Sequence, residues 1–165
     1  MIPPASIECV LLALGSNLGD RRVHLRRAVA GLGSAVHVVA VSSVWESEPL
    51  GCRDGAGAFL NIVLAGWTRL SPESLLESIA AVERAGGRRR RLANDTRTID
   101  VDIVFFGNRR LRQAWLTIPH PRFRERNFVL QPMREIAGAI RIPSFEADLR
   151  GVRGEGEARR WGPLY

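Results

Sequence analysis

A chain of 165 residues, 45% hydrophobic and 25% charged, is long enough to bury the core of one globular domain and is neither a disordered nor a fibrous composition. Its net charge of +7, much of it arginine, points to a phosphate-bearing or otherwise polyanionic partner. Cys9 and Cys52 lack any zinc spacing, the first residues lack a basic leader, and no apolar run is long enough for a membrane span, so the expectation is a reducing, cytoplasmic setting with no membrane partner.

Residues 1–6 read as a loose lead and residues 9–14 as a short buried strand. Gly15-Ser16-Asn17-Leu18-Gly19-Asp20 is a turn, and Asp20 caps a helix running to about Leu32 with Leu25, Val29 and Leu32 as its apolar stripe. Residues 35–45 read as one valine-rich strand, 46–58 as a long loop and 59–67 as a third strand. Ser71 and Pro72 open a second helix as N-cap and first residue. Leu70 and Leu75 sit at staple spacing, Leu75, Ile79 and Val82 form the core stripe, and Gly86-Gly87 end the helix.

Four arginines, Arg88 to Arg91, then lead towards a strand over residues 97–106 that Gly107-Asn108 closes. A short strand follows in 111–117, and Ile118-Pro119-His120-Pro121 forces an extended segment. Residues 122–137 read as a helix in which Pro132 makes a break or a new start. From Arg150 the composition turns rich in glycine, arginine and glutamate, so residues 150–165 are expected to be a disordered tail of a single domain spanning 1–165. The order β-α-β-β-α-β is the ferredoxin-like plan. The expected class is α+β: an antiparallel sheet with two helices on one face, extra strands, and the last helix free to cover the other face as an α/β/α stack.

The chemistry concentrates on Arg97-Thr98-Ile99-Asp100-Val101-Asp102-Ile103. Aspartate is depleted in strands, and here two of them fall on one strand face. They lie roughly 6.6 Å apart along the strand and repel unless a cation lies between them. Paired carboxylates on a rigid strand suit Mg²⁺, whose shell is completed by water and substrate phosphates. The alternative is a solvated strand face. Arg97 precedes the pair closely, and His120, Arg122, Arg124 and Arg126 make a second basic cluster. There is no Walker A motif and no kinase catalytic loop, so phosphate handling rests on metal and arginine clamps.

The ordered set of motifs resembles the 6-hydroxymethyl-7,8-dihydropterin pyrophosphokinase family of folate biosynthesis. Its pieces are Leu14-Gly15-Ser16-Asn17-Leu18-Gly19-Asp20, Glu48-Pro49-Leu50-Gly51, Phe59-Leu60-Asn61, Glu83, Gly87-Arg88, the aspartate strand, and Ile118-Pro119-His120-Pro121-Arg122 running on to Arg126-Asn127-Phe128. The resemblance implies transfer of pyrophosphate from ATP to the pterin hydroxymethyl group, with release of AMP. It implies two Mg²⁺ ions on Asp100 and Asp102, with Arg88 and Arg97 on the phosphates. Glu83, Arg90, Ile103, His120 and Arg126 match nucleotide positions. Phe59 and Phe128 match a pair that sandwiches the pterin, and Asn61 offers donor and acceptor to the pterin edge. Ser47, Pro49 and Leu50 match the loop beside it. The resemblance further implies a monomer with small-molecule partners and no nucleic acid. A paralogue acting on a related pterin is a second reading. A ferredoxin-like RNA-binding module is a third, although no RNP-type aromatic string is present.

Overall fold

The computed structural model describes residues 6–49, 55–87, 97–140, 146 and 148–165. The expected features at Leu50, Cys52, Arg88, Arg90 and residues 91–96 lie outside these. Strands β1 (Glu8–Ser16), β4 (Phe59–Thr68) and β5 (Asp100–Phe106) form the centre of a six-stranded sheet. The order β5-β1-β4-β3-β8, with β3 (Val44–Ser47), β8 (Ala158–Gly162) and the short β2 (His37–Val41) also on β4, is antiparallel throughout. This is the expected ferredoxin-like arrangement with β2 and β3 sharing the place of one strand.

The helices form where the local signals put them. Asp20 Oδ1 accepts from Val23 N at 3.0 Å and starts α1 (Arg21–Leu32). Ser71 Oγ accepts from Ser74 N at 3.2 Å and starts α2 (Pro72–Ala85). Both pack on one sheet face, where Leu25, Leu32, Leu75 and Ile79 meet Val10, Leu12, Leu14, Leu60, Ile62, Leu64, Val101 and Ile103. Helix α3 (Asn127–Ile136) covers the other face through Val129, Leu130, Met133 and Ile136, against Leu11, Val63, Ala65 and Phe105. Strand alternation sends neighbouring residues of β1, β4 and β5 into these two separate cores.

Four expectations change. The single strand over 35–45 is split at Ser42-Ser43, because Ser42 Oγ accepts from Val63 N at 3.0 Å while Ser43 N and Oγ turn to Glu135 on α3. The segment 111–118 is a hairpin of two two-residue strands, β6 (Leu111–Arg112) and β7 (Thr117–Ile118). The helix begins at Asn127, after a 3-10 turn at Phe123–Glu125, and passes through Pro132 without a break. Proline there removes one N–H, and burial of Pro132 with Val129, Met133 and Ile136 offsets the loss. Residues 150–165 are folded: β8 pairs with β3 and Leu164 is buried.

Candidate active site

One row of residues crosses the sheet where the ends of three strands meet. Asn61 of β4 pairs with Gly15 of β1, and Gly15 pairs on its other side with Asp100 of β5. Asp102 stands opposite Ala13, on the same face. That face is the one covered by α3, but α3 begins late enough to leave a cleft of about 240 Å³ beside its first turn. Ser47, Phe59, Asn61, Arg97, Asp100, Asp102, Arg126 and Phe128 all line it. Eight expected site residues far apart in sequence thus meet in one cavity.

The floor is shaped by a missing side chain. A Cβ on Gly15 would stand 3.1 Å from Asn61 Oδ1 and 3.6 Å from the Phe59 ring. Asn61 is held by two donations from Nδ2, to Trp45 O at 3.2 Å and to Ser47 Oγ at 2.9 Å. Both amide protons are committed to the sheet, so Asn61 presents its carbonyl oxygen above Gly15 and not the expected donor and acceptor together.

Arg97 is positioned from both sides. Asn17 Oδ1 accepts from Arg97 N at 2.7 Å, and Asn17 N donates to Arg97 O at 3.1 Å. The Arg97 guanidinium pairs with Asp100. Asp102 lies 3.9 Å from His120 Nε2. Burial and the charge of Asp100 push the Asp102 carboxyl up to about 6, against the pull of Arg126 and Arg97. His120 is pushed down to about 4 by burial and by Arg126 and Arg122, so it is neutral at pH 7. Its Nδ1 accepts from Arg122 N at 3.2 Å, which leaves the proton on Nε2, facing Asp102. The Arg126 guanidinium stands 5.5 Å from the Phe128 ring centroid, joining the phosphate-type and aromatic ends of the cleft.

Other expected residues fall elsewhere. Glu83 is buried on α2 and accepts from Val101 N at 2.9 Å, fastening the strand between the two aspartates. Ile103 belongs to the core under α1 and α2. Pro49 is described but does not line the cleft, and Arg124 turns away to Asp148. The structure adds Glu48, Glu125 and Glu155 to the lining, and Arg122 from the basic cluster. Nothing local marks Glu155, which arrives from the segment read as a tail. Asn17 stands within the expected glycine-rich turn, yet its part in holding Arg97 emerges only from the fold.

Among the described residues no three His, Cys, Asp or Glu side chains converge as a metal cage. Two hard carboxylates on one strand face, one with a pKa raised by burial and by the charge of the other, fit instead an ion that keeps water and phosphate in its shell. Among the described residues, no helix is long and apolar enough to cross a membrane.

Comparison with known proteins shows the family. Residues 11–138 match the family model described as 7,8-dihydro-6-hydroxymethylpterin-pyrophosphokinase (HPPK). The chain is 43% identical over 146 residues to the 2-amino-4-hydroxy-6-hydroxymethyldihydropteridine pyrophosphokinase of Bacillus subtilis, covering 86% of this chain and 87% of that one. It is 38% identical over 139 residues to the enzyme of the same name from Pseudomonas aeruginosa, with 83% and 85% covered. A crystal structure of Plasmodium falciparum HPPK-DHPS shares the fold at a TM-score of 0.62 and 14% identity, over 81% of this chain and 40% of that one. With its matched stretch containing the aspartate strand and both phenylalanines of the cleft, the chain belongs to the 7,8-dihydro-6-hydroxymethylpterin-pyrophosphokinase family.

Proposed function

We infer that this protein is a pyrophosphokinase of folate biosynthesis that moves a diphosphate group from ATP to 6-hydroxymethyl-7,8-dihydropterin. The observation that carries the reading is the lining of the cleft. Phe59 and Asn61 come from β4 and Asp100 and Asp102 from β5, on either side of Gly15 of β1, and Arg97, Arg126 and Phe128 complete the lining. Such a cavity takes a flat heterocycle and a polyphosphate side by side.

In the reaction, the hydroxymethyl oxygen bonds to the β-phosphorus while the bond from that phosphorus to the α,β-bridging oxygen breaks. AMP leaves with that oxygen, and the hydroxyl proton is lost to water. Phe59 and Phe128 hold the ring system, and Asn61 Oδ1 accepts an N–H from its edge. Arg97 and Arg126 hold phosphate oxygens with fixed charge that stabilises the transferring group. Arg88 and Arg90 are assigned to the same phosphates, and Leu50 to the pterin. Asp100 and Asp102 would hold two Mg²⁺ ions, which neutralise phosphate charge and lower the pKa of the attacking hydroxyl. His120, neutral at pH 7, stands 3.9 Å from Asp102 with its Nε2–H turned towards it, and Glu83 keeps the aspartate strand in place.

We further propose a cytoplasmic monomer, as the family resemblance implies, in which Cys9 is a buried free thiol pushed up to about 12 by burial. An RNA-binding role is disfavoured, because the carboxylate pair would face nucleic-acid phosphates. The deciding experiment incubates the protein with Mg²⁺, ATP and 6-hydroxymethyl-7,8-dihydropterin. AMP and the pterin diphosphate are expected in equal amounts. ADP as product, or no AMP, would sink the reading.

A further inference from the structure

Residues 139–165 lie beyond the stretch that matches the family model, yet part of them builds the cleft. The starting point is a defect in α3. Its N-cap position is Arg126, which makes no side-chain capping bond. Helix starts leave backbone N–H groups without partners, and this one carries Phe128 in its first turn. The partner comes from far along the chain. Asn127 N donates to Glu155 O at 3.1 Å, and Glu155 N donates back to Glu125 O at 2.7 Å. The Asn127 side chain donates to Gly154 O at 3.0 Å and Gly156 O at 2.8 Å. Arg134 on the same helix reaches Val152 O.

The fit at this point is close. A Cβ on Gly154 would lie 2.7 Å from Asn127 N and 2.9 Å from both Arg126 C and Leu130 Cδ1. Past this crossing the segment becomes β8 and pairs with β3, where Ala158 stands opposite Ser47 of the cleft wall. It then runs to α1. Leu164 is buried, and its carbonyl accepts from Arg22 Nε at 3.1 Å and Arg26 Nε at 2.7 Å. The segment is therefore fastened at α3, at the sheet edge and at α1, and two of these anchors carry cleft residues.

We propose that residues 152–164 form a positioning strap that caps α3 and holds Arg126 and Phe128 against the sheet wall carrying Ser47, with Glu155 closing the rim of the cleft. The strap sets the width of the slot into which the heterocycle slides, and rests on the pyrophosphokinase reading only for the identity of that heterocycle. It makes Asn127 and Gly154 positioning residues, since neither touches the reacting atoms. Shifts of about 1 Å in such supports can cost up to about a hundredfold in function.

The test uses the full chain with Asn127→Ala and, separately, Gly154→Ala. The first removes both side-chain donors; the second pushes the strap off the helix start. Hydrogen exchange at the Asn127 and Glu155 amides reports release. Fluorescence titration with 6-hydroxymethyl-7,8-dihydropterin, on protein shown to be folded by circular dichroism, is expected to give a Kd about tenfold weaker in both variants. A purely structural role would lower the active fraction and leave that Kd unchanged. A pterin Kd within twofold of the parent in both variants, with the amides exchanging fast, overturns the strap. The titration needs no turnover, so it separates failure of the strap from failure of the proposed reaction.

Discussion

Asp102 and His120 stand 3.9 Å apart with proton affinities moved in opposite directions. His120, pushed down to about 4, refuses a proton that the unfolded chain accepts from about pH 6.5 downward. It therefore costs stability progressively as pH falls through that window. Asp102, pushed up to about 6, binds its proton more tightly folded than unfolded, so its contribution falls as pH rises from 3.8 to about 6. The two slopes oppose each other between pH 4 and 6. His120→Asn removes one of them. The stability of this variant relative to the parent is expected to rise, by on the order of 2 kcal/mol, between pH 7 and pH 4.5. Urea denaturation at both pH values measures it, and an equal difference at both would show that the folded histidine takes up the proton. Gly15 acts through space alone. Gly15→Ala places a methyl 3.1 Å from an Asn61 oxygen whose own side chain is pinned by two hydrogen bonds. Overpacking of about 1–2 kcal/mol falls on the pterin end, so the pterin KM is expected to rise about tenfold while the ATP KM stays within about twofold. Equal increases in both constants would argue against the assigned ends of the cleft.

At the scale of elements, α3 is joined to the sheet by a polar knot as well as by its core. Glu135 accepts from Ser43 Oγ at 2.6 Å, Ser43 N at 3.1 Å and Trp45 Nε1 at 2.9 Å, and Arg160 of β8 stands nearby. Burial alone would raise its pKa, but the donated hydrogen bonds win and hold the carboxyl below its ordinary value. Its contribution is present above the unfolded pKa and is lost as pH falls through the lower folded value. Glu135→Ala strands the nearly buried Ser43 donors and is expected to cost about 2 kcal/mol at pH 7. The urea midpoint should fall with no change in slope; an unchanged midpoint would mean that water replaces the carboxylate without loss. The same knot explains why one strand in the sequence is two in the structure. Residues 35–45 carry an unbroken strand composition, and the split at Ser42-Ser43 is imposed by a carboxylate 92 residues away. By contrast, Asp20 and Ser71-Pro72 cap their helices through neighbours three residues on, so both starts were legible. Strand β8 was invisible for another reason. It is an edge strand whose Arg159, Arg160 and Trp161 face solvent, so it lacks the apolar alternation that marks a buried strand.

Across the whole molecule, the sheet separates two cores and gathers the chemistry at one end of the face that α3 only partly covers. Asp100, Asp102, Phe59, Asn61, Arg97, Arg126 and Phe128 were legible because each sits in a short ordered motif. Glu125 and Glu155 were not, because only the crossing of the strap over the start of α3 brings them together. The assembled cleft has one end built of uncharged groups and one of opposed charges, and the two ends should respond differently to loss of divalent cations. Stacking on Phe59 and Phe128 and acceptance by Asn61 need no counter-ion, so pterin binding is expected to survive chelation within about twofold. ATP meets Asp100 and Asp102 directly when no cation intervenes, and the repulsion at a few ångströms in a partly desolvated cleft amounts to several kcal/mol. Calorimetric titration in excess chelator should therefore show ATP affinity falling by at least about a hundredfold, with the unfolding midpoint of the protein unchanged because the described residues build no metal cage. A parallel loss of pterin affinity would mean that the cation organises both ends of the cleft, and that the carboxylate strand, not the aromatic pair, sets the pterin subsite.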